Sequence, residues 1–543
     1  MSLISYGLLL LMPRAKARRL AQAGIRCVPF RPCPLPRWSA FSRPSRSVGH
    51  LCRVAAEGTM GAAAGPAGRN TRMSARNVLL FLTDGHRTDS LGCYGSTLGA
   101  TPNLDAFAAN GTLFRRSFCT HSVCMPTRAS LFTGRYPHIH GVWANGIPLR
   151  RSEVTLPQVL AEHGYATCAT GKVHFEPQQH YAHGVAPCVG PGQRPYYGFQ
   201  EVHLSENCLG KEYLDFVADN HPALTEQALR RTGMPEKAHE LQWITDQAIC
   251  FMERQVAAGT PFFCSCSFHE LSPPCTPPDT FAGYYNPADM PVPELRADDL
   301  EKRPPFYRQC YEGYLEKGRQ PEEPTLRRYL ASYYDQLRFL DKQFGRLTDI
   351  LKKLGAWEST IIVFTADHGL SLNDHWQWRH GPFLFDQVIN VPMAWRVPGA
   401  QSGIVPEELV EGVDLMPTVL DLCGVPTPAG VQGRSLAPLI RGDEGATGRD
   451  SVLVQERQAP DLAARGLDPS TIWQVGVRTH DWKLIHYNDY PHGELYDLVT
   501  DPGEFSNLWH DPAYRQQRLE LESLLMQRLA ASQDPLPELE WDW

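Results

Sequence analysis

The 543-residue chain lacks any apolar run long enough to cross a bilayer. The stretch Leu8 to Met12 is far short of the roughly 20 residues a span needs, and its positive charges follow it, opposite to a secretory signal. With no credible export or anchoring signal, the expectation is a cytoplasmic protein without a membrane partner, or an organellar or exported one if the basic leader at residues 1–72 is genuine. Acids are nearly missing from the first 72 positions, where 12 Lys or Arg face the single acid Glu57. That segment is rich in Arg, Pro, Ser and Ala and has no core pattern. Residues 1–72 therefore read as a basic leader, transit-like or translated from an upstream start, with Met73 opening the folded protein. The whole chain carries −7, so the remainder sums to about −18, which argues against nucleic acid as a partner. Recurrent C-x2-C pairs are absent, and 15 cysteines is an odd number, so most thiols are expected reduced and buried. No internal repeat occurs.

What is present begins with Cys124-Met125-Pro126-Thr127-Arg128, which fits C-x-P-x-R. Five residues alone could match by chance, and a lone cysteine is ordinarily a buried thiol. The wider stretch SVCMPTRASLFTGRYPHIHGV, including Leu131-Phe132-Thr133-Gly134-Arg135, resembles the signature of the sulfatases, whose cysteine at this place is oxidised to Cα-formylglycine. The resemblance implies a hydrated aldehyde with two hydroxyls on one carbon. One attacks the sulfur of a sulfate ester and expels the alcohol, and the other collapses to the aldehyde and ejects sulfate. It also implies that Pro126 and Arg128 are read by a formylglycine-generating enzyme, and that Arg128 later steadies the hydrate.

A divalent cation over that aldehyde needs carboxylates, and two stand at strand ends. Asn77 to Thr83 (NVLLFLT) reads as a buried strand delivering Asp84, and Ile361 to Thr365 (IIVFT) delivers Asp367, followed by His368 and Gly369. Ligands of open α/β sheets bind beyond the carboxyl ends of strands, so two acids far apart in sequence converge there. With residue 124 they form the expected metal set: Asp84, Cys124, Asp367 and His368. Oxygen-rich ligation favours Ca²⁺, while His368 keeps Mn²⁺, Mg²⁺ and Zn²⁺ open. Gly85 departs from the family, which has Asp or Gln there; His86 or water is the expected substitute.

Thr170-Gly171-Lys172-Val173-His174-Phe175 resembles the family's G-K-x-H segment, and alternation places Lys172 and His174 on one side of an extended segment. The resemblance gives Lys172 a sulfate oxygen and His174 the proton whose removal releases sulfate, a task suited to neutral imidazole. In Asp374 to Phe383 a lysine usually precedes Gly-Pro. Here His380 stands there, with Arg379 beside it, and its charge depends on pH where lysine's does not. Ser267 to Pro274 departs from S-F-x-x-P-H-x-P-F: aligned without gaps, the histidine that contacts the scissile oxygen has become Ser272, with His269 the nearest substitute.

Strand-like and helix-like runs alternate from about 77 to 440, as a largely parallel sheet flanked by helices requires. A helix is expected from Leu326 to Leu354, and Pro- and Gly-rich stretches near 180–200 and 271–325 read as loop insertions. Gly412-Val413-Asp414-Leu415-Met416-Pro417-Thr418, Gly433-Arg434-Ser435-Leu436, Asp481-Trp482-Lys483-Leu484-Ile485, Gly493-Glu494-Leu495-Tyr496-Asp497-Leu498 and Asp501-Pro502 continue the resemblance in the family's order. It implies a catalytic α/β domain over 73–445, with a large mixed, mostly parallel sheet sandwiched by helices. A small C-terminal subdomain over 446–543 follows, an antiparallel sheet with a helix from Ala513 to Ala531. The expected activity is hydrolysis of a small-molecule or saccharide sulfate ester, with Cys124, Arg128, Lys172, His174 and His380 catalytic. Two alternatives stay open. One is a phosphonate monoester or phosphodiester hydrolase using the same nucleophile, since Asn145 in Trp143-Ala144-Asn145-Gly146 resembles a residue of those relatives. The other is a non-catalytic binding protein, suggested by Gly85, Ser272 and the missing lysine at 380.

Overall fold

The strand segments around residues 78, 263 and 361 are apolar on both faces, which fits them only for the interior of a sheet covered on both sides. The computed structural model describes residues 76–177, 195–206, 210–457, 473–488 and 491–536; the basic leader, Met73 and most of the 180–200 insertion lie outside the described residues. The main-body strands are β1 (Asn77–Thr83), β2 (Thr112–Phe114), β3 (Ser117–Phe118), β4 (Ala166–Gly171), β5 (Glu201–Leu204), β6 (Phe262–Ser267), β7 (Thr360–Ala366), β8 (Ser371–Leu372), β9 (Trp378–Arg379), β10 (Met393–Arg396) and β11 (Val410–Glu411). Seven form one sheet in the order β2-β10-β7-β1-β6-β4-β5. The five from β7 to β5 run parallel, and β10 is antiparallel to both of its neighbours. The expected mixed, mostly parallel sheet is therefore present.

Alternation along β1 divides the core into two. Leu79 and Phe81 pack with Ile244 and Phe251 of the helix Glu240–Ala258 and with Phe344 and Leu347 of the helix Glu323–Lys353. Val78, Leu80 and Leu82 face the opposite way, onto Met125 and Phe132 of the helix Cys124–Thr133 and Leu420 of the helix Leu415–Cys423. The register then aligns the strand ends. Thr83 pairs with Ala366, Leu82 with Ser267, and Gly171 with Ser267. The residues that leave these strands, Asp84, Asp367, Phe268 and Lys172, consequently stand in one row along the carboxyl edge.

The long helix starts at Glu323, one turn before the expected Leu326, and ends at Lys353. The 271–325 insertion is not loop throughout: Asp299–Lys302 and Pro305–Glu316 are helical. Pro305 is preset for a first helical turn, and Phe306, Tyr307 and Cys310 recur at helical spacing to pack against Phe383 and Tyr487. Four further strands, β12 (Val452–Glu456), β13 (Gln474–Arg478), β14 (Trp482–Tyr487) and β15 (Glu494–Asp497), form an antiparallel sheet in sequential order. The helix Arg515–Ala531 covers it through Leu521 and Leu525, and the three preceding residues form a 3₁₀ turn instead of the expected helix start. Cys264 and Cys266 lie buried in β6 as free thiols. Among the described residues, no helix is long and apolar enough to cross a membrane.

Phe81 is fully buried and packs edge-on against Phe344 beside Phe268 and Phe364. Phe81→Ala is expected to cost about 3–5 kcal/mol, read as a lowered denaturation midpoint.

Candidate active site

Cys124 is the first residue of its helix, and the two that follow suit a helix start. Pro126 lies in the first turn, where its missing N–H breaks no helical bond, and Asn145 Oδ1 accepts the Met125 N–H at 2.9 Å. The Cys124 Sγ thus sits at the positive end of the helix dipole. Around it converge the ends of β1 and β7: ligand atoms of Asp84, Cys124, Asp367 and His368 all lie within 4.8 Å of one another. His368 Nδ1 donates to the Gly369 carbonyl at 2.8 Å, which turns Nε2 toward Cys124 Sγ at 3.2 Å. The four residues predicted to hold a metal are therefore brought together.

One turn down the helix, Arg128 is completely buried and fans its guanidinium over three strand ends. Nε donates to Asp367 Oδ2 at 2.7 Å, and Nη1 to the Lys172 carbonyl at 2.7 Å and Ser267 Oγ at 2.8 Å. Nη2 lies 3.6 Å from Asp84 Oδ2, which also receives the Lys172 ammonium. Lys172 reaches it because the chain bends sharply at Gly171, whose φ is +82° and where a Cβ would overlap the Ser267 carbonyl. Burial opposes the ionised form of Asp84, but Lys172, His368 and Arg128 outweigh it and hold the carboxyl well below its usual range. Burial, and then the Asp84 charge, push Asp367 up, a balance that a divalent cation between the two would reverse. Burial likewise opposes a charge on His368, yet Asp367, Cys124 and Asp84 raise it to about 10. Two buried carboxylates, an inward imidazole and residue 124 are a donor set that fits a hard or borderline divalent cation.

Three more imidazoles border this cluster. His174 is buried, its Nδ1 has no hydrogen-bond partner among the described residues, and burial, Lys172 and Arg128 keep it neutral. The expected extended run through Lys172 and His174 is not found: His174 has φ +59°, because the Val173 and His174 N–H groups both donate to Glu206 Oε1, at 2.9 and 2.7 Å. The buried Glu206 carboxylate holds this turn, and no sequence pattern marks it. His380 meets His368 edge-on with ring centroids 4.8 Å apart, and burial and His368 keep it neutral. His269 is buried near Lys172 and Asp84 with neither ring nitrogen partnered among the described residues. Arg379, by contrast, is exposed, with φ +68°.

The Ser371 to His380 turn is anchored from outside the sheet. Asp374 pairs with Arg87, and His375 Nδ1 lies 3.0 Å from Asp299 Oδ2 and 2.7 Å from Arg303 Nη2. Arg303 Nη1 in turn donates to the Tyr496 hydroxyl of β15 at 2.8 Å. Nothing in the spacing of Arg87, Asp299 or Arg303 signals this role, since the partners come from four separate stretches. Gly85 leaves its neighbourhood to Ser272, whose hydroxyl donates to Asp84 Oδ1.

The sulfatase family model matches residues 76–425, and a second, N-sulphoglucosamine sulphohydrolase, C-terminal, matches residues 374–531. The chain is 27% identical over 525 residues to N-acetylglucosamine-6-O-sulfatase of Bacteroides thetaiotaomicron, covering 85% of this chain and 88% of that enzyme. It is 27% identical over 525 residues to iduronate 2-sulfatase of Homo sapiens, covering 81% and 92%. Phosphonate monoester hydrolase SpPMH from Silicibacter pomeroyi superposes with a TM-score of 0.74 at 25% identity, over 86% of this chain and 97% of that one. The chain belongs to the sulfatase family, and with it to the sulfuric ester hydrolases of alkaline-phosphatase-like α/β fold.

Removing Arg128 would leave Asp84 and Asp367 buried with one cation fewer. Arg128→Ala is expected to lower stability by about 3–5 kcal/mol, measured by chemical denaturation. Arg128→Lys keeps the charge but not the planar fork and should fall between the two.

Proposed function

We propose that this chain hydrolyses a saccharide or other small-molecule sulfate ester through a formylglycine at position 124 and a divalent cation held by Asp84, Asp367, His368 and residue 124. The observation that carries this reading is the convergence of ligand atoms from Asp84, Asp367 and His368 on Cys124 Sγ, with Arg128 and Lys172 buried against them. Ca²⁺ suits the two carboxylates best, with Mn²⁺, Mg²⁺ or Zn²⁺ as alternatives. When bound, the cation supplies Lewis acidity and fixed positive charge; the aldehyde hydrate supplies a nucleophile with a second hydroxyl for release.

The remaining work belongs to side chains already in place. Lys172 and Arg128 present buried positive charge to the three equatorial oxygens of the transferring group, where charge fixed in a dry site is worth most. His174, kept neutral beside them, takes at Nδ1 the proton whose departure frees sulfate. His380, with a ring nitrogen within 4.8 Å of Cys124 Sγ and of His368 and with Nδ1 unpartnered among the described residues, offers a hydrogen bond to the departing alkoxide. The names of two curated relatives, an N-acetylglucosamine-6-O-sulfatase and an iduronate 2-sulfatase, favour a sulfated sugar.

Asn145 on the Met125 amide favours a second reading, a phosphonate monoester substrate for the same nucleophile, as does the likeness to a phosphonate monoester hydrolase. The two separate by kcat/KM on N-acetylglucosamine 6-sulfate and an aryl sulfate against a phenyl phosphonate monoester. Higher values on sulfates support the first reading, and the reverse order supports the second.

The modification itself is tested by the mass of the tryptic peptide Ser117–Arg128 from protein made with a formylglycine-generating enzyme. An aldehyde at 124 is expected; an intact thiol in active protein would overturn the proposed nucleophile, and in inactive protein it would favour the binding-protein alternative. Treatment with a chelator should abolish turnover, Ca²⁺ or Mn²⁺ should restore it, and Asp84→Asn should not be rescued by either.

A further inference from the structure

Two departures from the family pattern, Gly85 and Ser272, lie far apart in sequence but touch in space. A Cβ on Gly85 would stand 3.2 Å from Ser272 Oγ and 2.9 Å from Leu370 Cγ, so the volume that a side chain at 85 would enter is already occupied. The backbone locks the two segments together: the Asp84 N–H donates to the Glu270 carbonyl at 3.1 Å, and the Leu271 N–H returns to the Asp84 carbonyl. Ser272 Oγ donates to Asp84 Oδ1, whereas Lys172 occupies Oδ2. Oδ1 is the oxygen that faces His368, 3.8 Å from Nε2, and so borders the ligand cluster.

We infer that Gly85 and Ser272 are a complementary pair, in which the Ser272 hydroxyl supplies the oxygen donor that a side chain at 85 would otherwise bring to the cation. This rests on the metal-dependent reading above and names a donor within it. A hydroxyl is a competent ligand for a hard cation, and it can coordinate through a lone pair while its O–H still donates to Asp84. Because it is neutral, it leaves the site one negative charge poorer than a carboxylate at 85 would. Neither His86 nor water is then needed as the substitute. His86 turns its Nδ1 to Thr83 Oγ1 at 3.1 Å and packs its ring near Phe364, away from the cluster.

The test is Ca²⁺ affinity by titration calorimetry on the full chain, with Mn²⁺ in parallel. Ser272→Ala is expected to weaken binding about 10- to 100-fold. An unchanged affinity of Ser272→Ala would overturn the inference. A crystal structure of the Ca²⁺-loaded wild type tests it without any variant. Ser272 Oγ at about 2.3–2.6 Å from the ion supports it, and an Oγ outside the coordination shell overturns it. If the wild type binds neither ion, the metal-dependent reading falls and takes this donor with it, a result distinct from a silent Ser272→Ala.

Discussion

The buried guanidinium of Arg128 is the contact on which the site depends. A parallel sheet delivers its strand ends in a row, but two carboxylates in that row, both sealed from water, repel each other and cost several kcal/mol each to desolvate. Arg128 answers both problems with one planar group. It donates to Asp367, to the carbonyl of Lys172 and to the hydroxyl of Ser267, so the ends of β7, β4 and β6 are tied by the same side chain. Lys172 completes the balance on Asp84. Since Arg128 lies one turn below Cys124, the link that neutralises the carboxylates also fixes the helix that presents residue 124. Charge balance and the placement of residue 124 are one constraint.

Around this centre the chain tolerates change where geometry can be met another way. Gly85 and Ser272 lie against one another, so the space beside Gly85 is filled by the Ser272 hydroxyl and by Leu370. His380 takes the place of a cation, but in a setting where burial and His368 keep it neutral, so a charged lysine is not simply replaced by a charged histidine. The turn carrying it is held by Arg303, which bridges Asp299, His375 and Tyr496. Two hydrogen bonds, Arg303 to Tyr496 and Arg303 to His375, thereby tie the C-terminal sheet to the turn that carries His380.

Much of this was legible before any fold. The C-x-P-x-R string, the two apolar runs ending in Asp84 and Asp367, and Lys172 with His174 are local patterns whose chemistry travels with the residues. Other features were not legible because their partners are distant in sequence. Glu206 holds the turn at His174 through two backbone amides, and an isolated glutamate after a short strand carries no signal of that. The helix Pro305–Glu316 read as loop because its helical periodicity is short and lies within a Pro-rich insertion. His174 read as extended because alternation assumes the strand continues, whereas Gly171 ends it.

By itself, the sequence determined the family and marked Cys124 together with the carboxylates, cations and imidazole that the fold gathers around it, because each is marked by residue type at fixed local spacing. The tertiary structure alone decided which of them touch. Whether Asp84 shares its oxygens with Lys172 and Ser272, and whether Gly85 is a gap or a space already filled, depends on strand register and on side chains packed from opposite ends of the chain. Those distances are set by the close-packed core, where a displacement of an ångström separates a ligand from a bystander, and no local pattern encodes them.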